Sequence, residues 1–302
     1  MKKVVWFNHY HNGDIHASRG IVKQIINHVH RQDPTITFAY SHRNPSNLLL
    51  DIPNLEFDGE ALNNVNPHDS LVVIGDTAYI NTWYDQQHQK YARQCGILTI
   101  DILYVALNEA CQKLWGFSLE DISVDPKDFF PSIDYSKFDI SRIQSWLQEH
   151  PGKKVLVESG HAMSGQAHNF DMTSVVVKLA EKHPDITFIL SNKNYTPLPN
   201  NVICTSDIIQ KQTGSDLNEI SFISTHCDLI IGRASGVFTF SLVKENLFER
   251  STKMLCFSHL VSGQHKYWLG NLFVNRVGYS SIFTIESTSN VNEIQAIIAR
   301  NL

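Results

Sequence analysis

At 302 residues, with 42% hydrophobic and 18% charged residues, the chain has the makeup of a folded globular protein and enough length for two domains. A formal net charge of −5, with no basic run or stripe, argues against nucleic acid as its main partner. Five scattered cysteines (Cys95, Cys111, Cys204, Cys227 and Cys256) lack CxxC spacing, which argues against a zinc framework or disulfide scaffold and for a reducing compartment.

Residues 3–7 (KVVWF) read as a buried strand, followed by the polar loop NHYHNGD over 8–14. Ile15, Ile21, Val22, Ile25, Ile26 and Val29 then recur at helical spacing, and Pro34 closes that segment before a strand over 36–40. A further strand is expected over 71–75 (LVVIG), with Asp76 to Tyr79 just past its carboxyl end. Residues 81–94 read as a polar helix, 97–102 as a strand and 106–115 as a helix. Between 118 and 135 the pattern dissolves into acidic and aromatic residues. A short helix over 140–149 and a turn at His150-Pro151-Gly152 then mark a domain boundary, giving domains 1–150 and 151–302.

The second half restarts the alternation. Strands are expected over 154–158, 186–190, 202–205, 227–231 and 253–257, with helices over 172–182, 216–225 and 291–302. The terminal helix, 290–302, is free to pack back across the boundary. Strands alternating with helices imply an α/β protein of two doubly wound, Rossmann-like domains facing a cleft. The opening MKKVVWFNHY is too short in apolar residues for a signal peptide, and no run reaches membrane-spanning length. The expected location is cytoplasmic, with peripheral contact at the inner face of a membrane left open.

Ligands of doubly wound domains bind past the carboxyl ends of strands, and four such loops here are polar: NHYHNGD, GDTAY, SGHAMSGQAHNF and GRASG. Asp14, after Gly13 at a helix mouth, reads either as a plain helix cap or as a general base. His9-x-His11 reads as a metal-binding pair of a hydrolase or as a polar loop. The 159–170 loop could cradle a phosphate through its backbone, although it holds neither GK[ST] nor GxGxxG. The GRASG turn, Gly232 to Gly236, reads as an ordinary strand-to-helix turn or as an anion site at a helix mouth.

Together these pieces resemble a GT-B glycosyltransferase, most closely the lipopolysaccharide heptosyltransferase group. VVWFNHYHNGD followed by IHASRGIVKQI is similar to that group's opening strand, Gly-Asp loop and helix. TGSDLNEISFISTHCDLIIGRASGVFT is similar to the segment that ends in its Gly-Asn-Asp-Ser-Gly-Pro-x-His donor turn. The family's Asp and His of that turn are Ala234 and Thr239 here. The resemblance implies a metal-independent transferase, needing no cofactor, that moves a sugar from a nucleotide-diphosphate donor to a glycan or glycolipid acceptor. It places Asp14 as base. It places Asn12, His16, Arg19, Asp76 and Tyr79 at the acceptor. The donor is expected at Gly160, His161, Ser164, Gly165, Gln166, Asn192, Arg233, Ser235 and Gly236, with contacts that differ from the family's and Arg233 assisting the diphosphate in place of the changed turn residues. A sugar-nucleotide epimerase of the same fold, a nucleotide-sugar-binding protein without activity, and the His9/His11 hydrolase stay open as alternatives.

Overall fold

The structure is a computed structural model that describes residues 2–83, 99–116, 118, 126–163, 165, 167–192, 197–210, 214–250, 252–258 and 283–302. The chain divides into two compact units, Met1–Ile133 and Asp134–Leu302.

In the first unit, β1 (Lys3–Asn8) leads into α1 (Asn12–Gln32), followed by β2 (Thr37–His42), β3 (Leu55–Phe57), β4 (Leu71–Ile74), β5 (Thr77–Asn81) and α2 (Thr99–Trp115). The sheet order is β3-β2-β1-β5-β4, parallel throughout except for β4. Central β1 buries Val4, Val5, Trp6 and Phe7, which is why it reads as an unbroken apolar run and not as an alternation. On α1, the six aliphatic residues of the expected face are all buried, each contributing about 1.5–3 kcal/mol.

Two sequence expectations change here. Residues 76–79 do not form a loop beyond a parallel strand. Gly75 takes a positive φ of 58°, so β4 turns back as a hairpin and Thr77–Asn81 becomes β5, antiparallel to β4. Of the strand expected over 97–102, the described part, Thr99–Ile102, is instead the start of α2 and continuous with 106–115, while 97 and 98 lie outside the described residues. A short apolar run does not distinguish the two periods by itself. Most of the helix expected over 81–94 lies outside the described residues, while Asn81 ends β5.

The second unit contains α3 (Ser141–Glu149), β6 (Lys154–Glu158), α4 (Met172–Ala180), β7 (Thr187–Leu190), β8 (Val202–Cys204), α5 (Thr205–Ile208), α6 (Leu217–Ser224), β9 (Leu229–Arg233), α7 (Gly236–Thr239), β10 (Lys253–Phe257), β11 (Phe283–Glu286) and α8 (Val291–Asn301). Its six strands run parallel in the order β11-β10-β9-β6-β7-β8. Val155, Val157, Phe188 and Ile231 of the sheet meet Val175, Val176 and Leu179 of α4 and Ile294 and Ile298 of α8 in one core. The terminal helix therefore packs against α4.

The unit begins at Asp134, ahead of the expected boundary at 150. Tyr135 stacks edge-on against Phe222 at 5.1 Å and its hydroxyl lies 3.0 Å from that of Ser221, while Arg142 donates to the Asp207 carbonyl at 2.9 Å. These contacts tie residues 134–149 to the second core. Cys111, Cys204, Cys227 and Cys256 are buried free thiols; Cys95 lies outside the described residues. Among the described residues, no helix is long and apolar enough to cross a membrane.

Candidate active site

At the carboxyl end of β1 the chain must turn sharply into α1, and buried Asn8 organises the turn. Its Oδ1 accepts from the backbone N–H of Tyr10 at 3.0 Å and of His11 at 2.9 Å, an Asx turn. Its Nδ2 donates to Thr82 Oγ1 at 3.3 Å. Thr82 Oγ1 lies 2.6 Å from the Tyr40 hydroxyl, and Tyr40 lies 3.0 Å from Ser18 Oγ on α1. This buried polar chain locks the ends of β1, β2 and β5 to the first turns of the helix. Burial pushes the Tyr40 phenol well above its ordinary value, and the nearby Asp14 charge pushes the same way.

The residue capping α1 is His11, whose side chain makes no cap bond, and Asp14 stands in the first helical turn. The cap reading of Asp14 is thereby replaced. It is a buried carboxylate at the positive end of a 21-residue helix, a setting that favours negative charge. Asn12 opens the same turn, half-buried.

The remaining residues assigned to the acceptor side are placed otherwise. Arg19 is buried in an ion pair with Asp51 at 3.0 Å, with its guanidinium also donating to the Leu48 carbonyl and lying 3.4 Å from His16 Nδ1. Arg19 is therefore committed to the fold, holding the segment after β2 against α1, and His16 is buried beside it. Asp76 lies in the β4–β5 turn, where its carbonyl accepts from Lys3 at the amino end of β1, so it is at the opposite end of the sheet from Asp14. Tyr79 is mid-strand, buried with Val5, Phe7, Ala39 and Leu62 in the core. The reason is the hairpin, which reverses the chain where the sequence suggested an open loop.

In the second unit, the carboxyl ends of β6, β7 and β9 come together. Ser159 N–H donates to Ser191 Oγ at 3.1 Å, and Asn192 N–H to Ser159 Oγ at 3.3 Å, lacing the loops after β6 and β7. Gly160 lies against Asn192, whose side chain a Cβ at that position would meet at 3.1 Å. His161 is exposed and Gly165 sits at a positive φ of 67° in the same loop. Ser164 and Gln166 lie outside the described residues.

Arg233 is the largest correction to the donor side. It ends β9 fully buried, and its guanidinium faces backbone. Nε donates to the His168 carbonyl at 3.1 Å, Nη1 to Ser159 and Gly160 at 3.0 and 2.7 Å, and Nη2 to Phe170. The guanidinium also lies 4.5 Å over the Phe170 ring. Four of its five N–H groups are thus occupied in clasping the 159–170 loop, which leaves little to offer a diphosphate. Beyond it, Ser235 caps α7 by accepting from Phe238 N–H at 3.3 Å, and α7 is a single turn of 4 residues. A helix this short carries a weak dipole, so the expected anion site at Ser235-Gly236 is less than the sequence suggests.

Sequence reasoning missed Glu158, the last residue of β6. It is buried opposite Gly232, where an added Cβ would come within 2.7 Å of Glu158 Cβ and 2.5 Å of Phe238 Cδ2. Burial raises its carboxyl to about 8, partly offset by the Ser191 hydroxyl, and Asp216 adds to the rise. The available signal was an acid closing an otherwise apolar strand, KVLVE. Among the described residues, no three His, Cys, Asp or Glu side chains converge to hold a metal ion, and His9 and His11 pack as aromatic rings.

No protein-family model and no curated relative matches the chain. Among solved structures, a family 9 glycosyl transferase from Veillonella parvula is similar over 99% of this chain and 89% of its own, at 11% identity and a TM-score of 0.52. An E. coli heptosyltransferase bound to ADP-2-deoxy-2-fluoro heptose is similar over 99% of this chain and 100% of its own, at 9% identity and a TM-score of 0.52. At such identities the likeness is one of fold. Two parallel-sheet α/β units, in a chain similar to these over nearly its whole length, make the fold the GT-B type.

Proposed function

We propose that the protein is a glycosyltransferase that moves a sugar from a nucleotide-diphosphate donor to a glycan or glycolipid acceptor, with Asp14 as general base. The observation that carries this reading is Asp14 itself, a buried carboxylate in the first turn after β1, within a chain similar in fold along its length to an enzyme holding an ADP-sugar. Asp14 would take the proton of the acceptor hydroxyl as that oxygen attacks the anomeric carbon and the nucleoside diphosphate departs. Asn12 stands on the same turn to orient the acceptor. The nucleotide belongs to the second unit, at the laced ends of β6 and β7 with Gly160 and Asn192, and at Ser235 and Gly236 after β9. Arg233 acts there as a positioning residue, clasping the carbonyls of Ser159, Gly160, His168 and Phe170 and so holding the loop after β6 in place. Metal independence follows from this scheme, in which backbone N–H groups stabilise the leaving diphosphate. The protein needs no membrane-spanning segment for this chemistry, and a lipid-borne acceptor would bring it to a membrane surface.

The test is Asp14→Asn. Transfer, followed by nucleoside-diphosphate release in the presence of acceptor, should fall about 10²–10⁴-fold while donor affinity by calorimetry stays within twofold. Full transfer activity in this variant would remove Asp14 as base. Donor binding with no turnover by the wild type, across acceptors, would favour the nucleotide-sugar-binding alternative.

A further inference from the structure

Beside the mouth of α1, four rings from three separate chain segments touch in series. Tyr10 meets His11 at 5.9 Å and Trp83 at 5.8 Å, Trp83 meets His11 at 5.7 Å, and His68 meets Trp83 at 5.6 Å between centroids. Tyr10 is 51% exposed, His68 is exposed, and His11 and Trp83 are half-buried, so the rings show a face outward.

The cluster is held from beneath by two buried asparagines at the carboxyl ends of neighbouring strands. Asn8, ending β1, accepts from the N–H groups of Tyr10 and His11. Asn81, ending β5, accepts from Trp83 N–H at 2.8 Å and donates to the carbonyls of Pro67 and Asp69 at 2.8 and 2.7 Å, on either side of His68. Both arms of the cluster are therefore fixed before anything binds, which lowers the ordering cost of an occupant. Exposed aromatic rings anchored in this way add nothing to the core. They suit a ligand with a flat C–H face and polar edges.

We infer that this surface is the acceptor subsite and that it takes an uncharged sugar, stacked by its C–H face on Tyr10 and Trp83 with a hydroxyl directed at the first turn of α1. This rests on the glycosyltransferase reading for its meaning as an acceptor, and Tyr10 and Asp14 lie on either side of the α1 cap. The charges support a neutral occupant. Neighbouring His9, 5.8 Å from Tyr10, has its pKa lowered by burial and by Arg43, with the Val65 backbone acting the other way. Arg43, whose charge acts on His9, and the sequence neighbours Asp14 and Asp69 sum to a net negative charge, which does not favour a phosphorylated headgroup. Ring faces attract C–H groups, whose positive edge meets the negative π-cloud.

Saturation-transfer NMR on the full-length protein, with no donor present, tests this directly. The probes are lactose, maltose, cellobiose and methyl glycosides, with glucose 6-phosphate against glucose for charge. At least one neutral sugar should show saturation strongest on its ring C–H protons. Trp83→Ala and Tyr10→Ala should each weaken it on the order of tenfold, Trp83→Phe much less, with melting temperatures near wild type. In a transfer assay Trp83→Ala and Tyr10→Ala should raise acceptor KM more than they lower kcat and leave donor affinity unchanged. No neutral sugar bound, binding unchanged in Tyr10→Ala, or tighter binding of the phosphorylated sugar would overturn the inference. Because these sugars are titrated without donor, failure of the transferase reading shows separately, as lack of nucleotide-sugar binding with sugar binding intact.

Discussion

The β1–α1 turn and the β9–α7 turn share a sequence signature, a buried parallel strand running into small polar residues and glycine, yet their side chains are put to opposite uses. In the first, Asn8 satisfies the backbone from within, a helix of 21 residues follows, and Tyr10 and His11 are left facing outward. In the second, Arg233 and Ser235 both turn onto backbone groups, and the helix that follows lasts 4 residues. The first turn leaves side chains exposed; the second braces the loop beside it. A polar residue in a strand-to-helix turn is therefore not by itself a ligand contact, and the decisive question is how many of its hydrogen bonds the fold has already taken.

That contrast can be broken by substitution. Arg233→Ala should have the largest effect, on the order of 4 kcal/mol lost in denaturant unfolding, because four carbonyls lose their donor together. Arg233→Lys should rescue little of it, since an ammonium cannot reproduce the planar fork. If instead Arg233→Ala unfolds like wild type and only loses donor affinity, the residue belongs to the diphosphate after all. In the first unit, Asp51→Ala should cost about 3 kcal/mol by leaving Arg19 buried without its carboxylate, whereas Arg19→Met with Asp51→Leu should cost far less. A double variant as unstable as the single one would show that the pair does more than satisfy its own charges.

Gly232→Ala tests the packing between β9 and β6, where the new methyl would collide with Glu158 Cβ and the Phe238 ring; a loss of about 1–3 kcal/mol is expected. The last test concerns Glu158 and pH. Its carboxyl ionises near 4.5 when unfolded and at about 8 in the fold, so between those values the folded chain holds the extra proton. Stability contributed by the protonated form should be full below pH 4.5 and fall as pH rises towards 8. Glu158→Gln should flatten this part of the profile and melt higher than wild type at pH 8. An unchanged slope would place the titration elsewhere.

Much of the architecture was legible because strands buried on both faces leave continuous runs, as in KVVWF and KVLVE, and because α1 repeats its aliphatic face over about four turns. Asp14 stood out for the same reason, sitting where a strong strand meets a strong helix. The β4–β5 hairpin did not, since a single glycine at positive φ decides whether Asp76 and Tyr79 lie at the ligand edge or at the far end and in the core. Nor could the role of Arg233 be read, because its partners are carbonyls of residues 159–170, more than sixty positions earlier, and every residue has a carbonyl. The unit boundary near 134 was hidden likewise, fixed by Tyr135 reaching Phe222 and Ser221.

The most direct measurement titrates the purified protein by calorimetry with ADP, UDP, GDP, CMP and dTDP and with sugars linked to each, then follows sugar transfer with whichever binds. One saturable site per chain for a nucleoside diphosphate, with its sugar passed to a glycan and the nucleotide released in equal amount, is the expected result. No binding to any member of the series would contradict a nucleotide-sugar-dependent transferase.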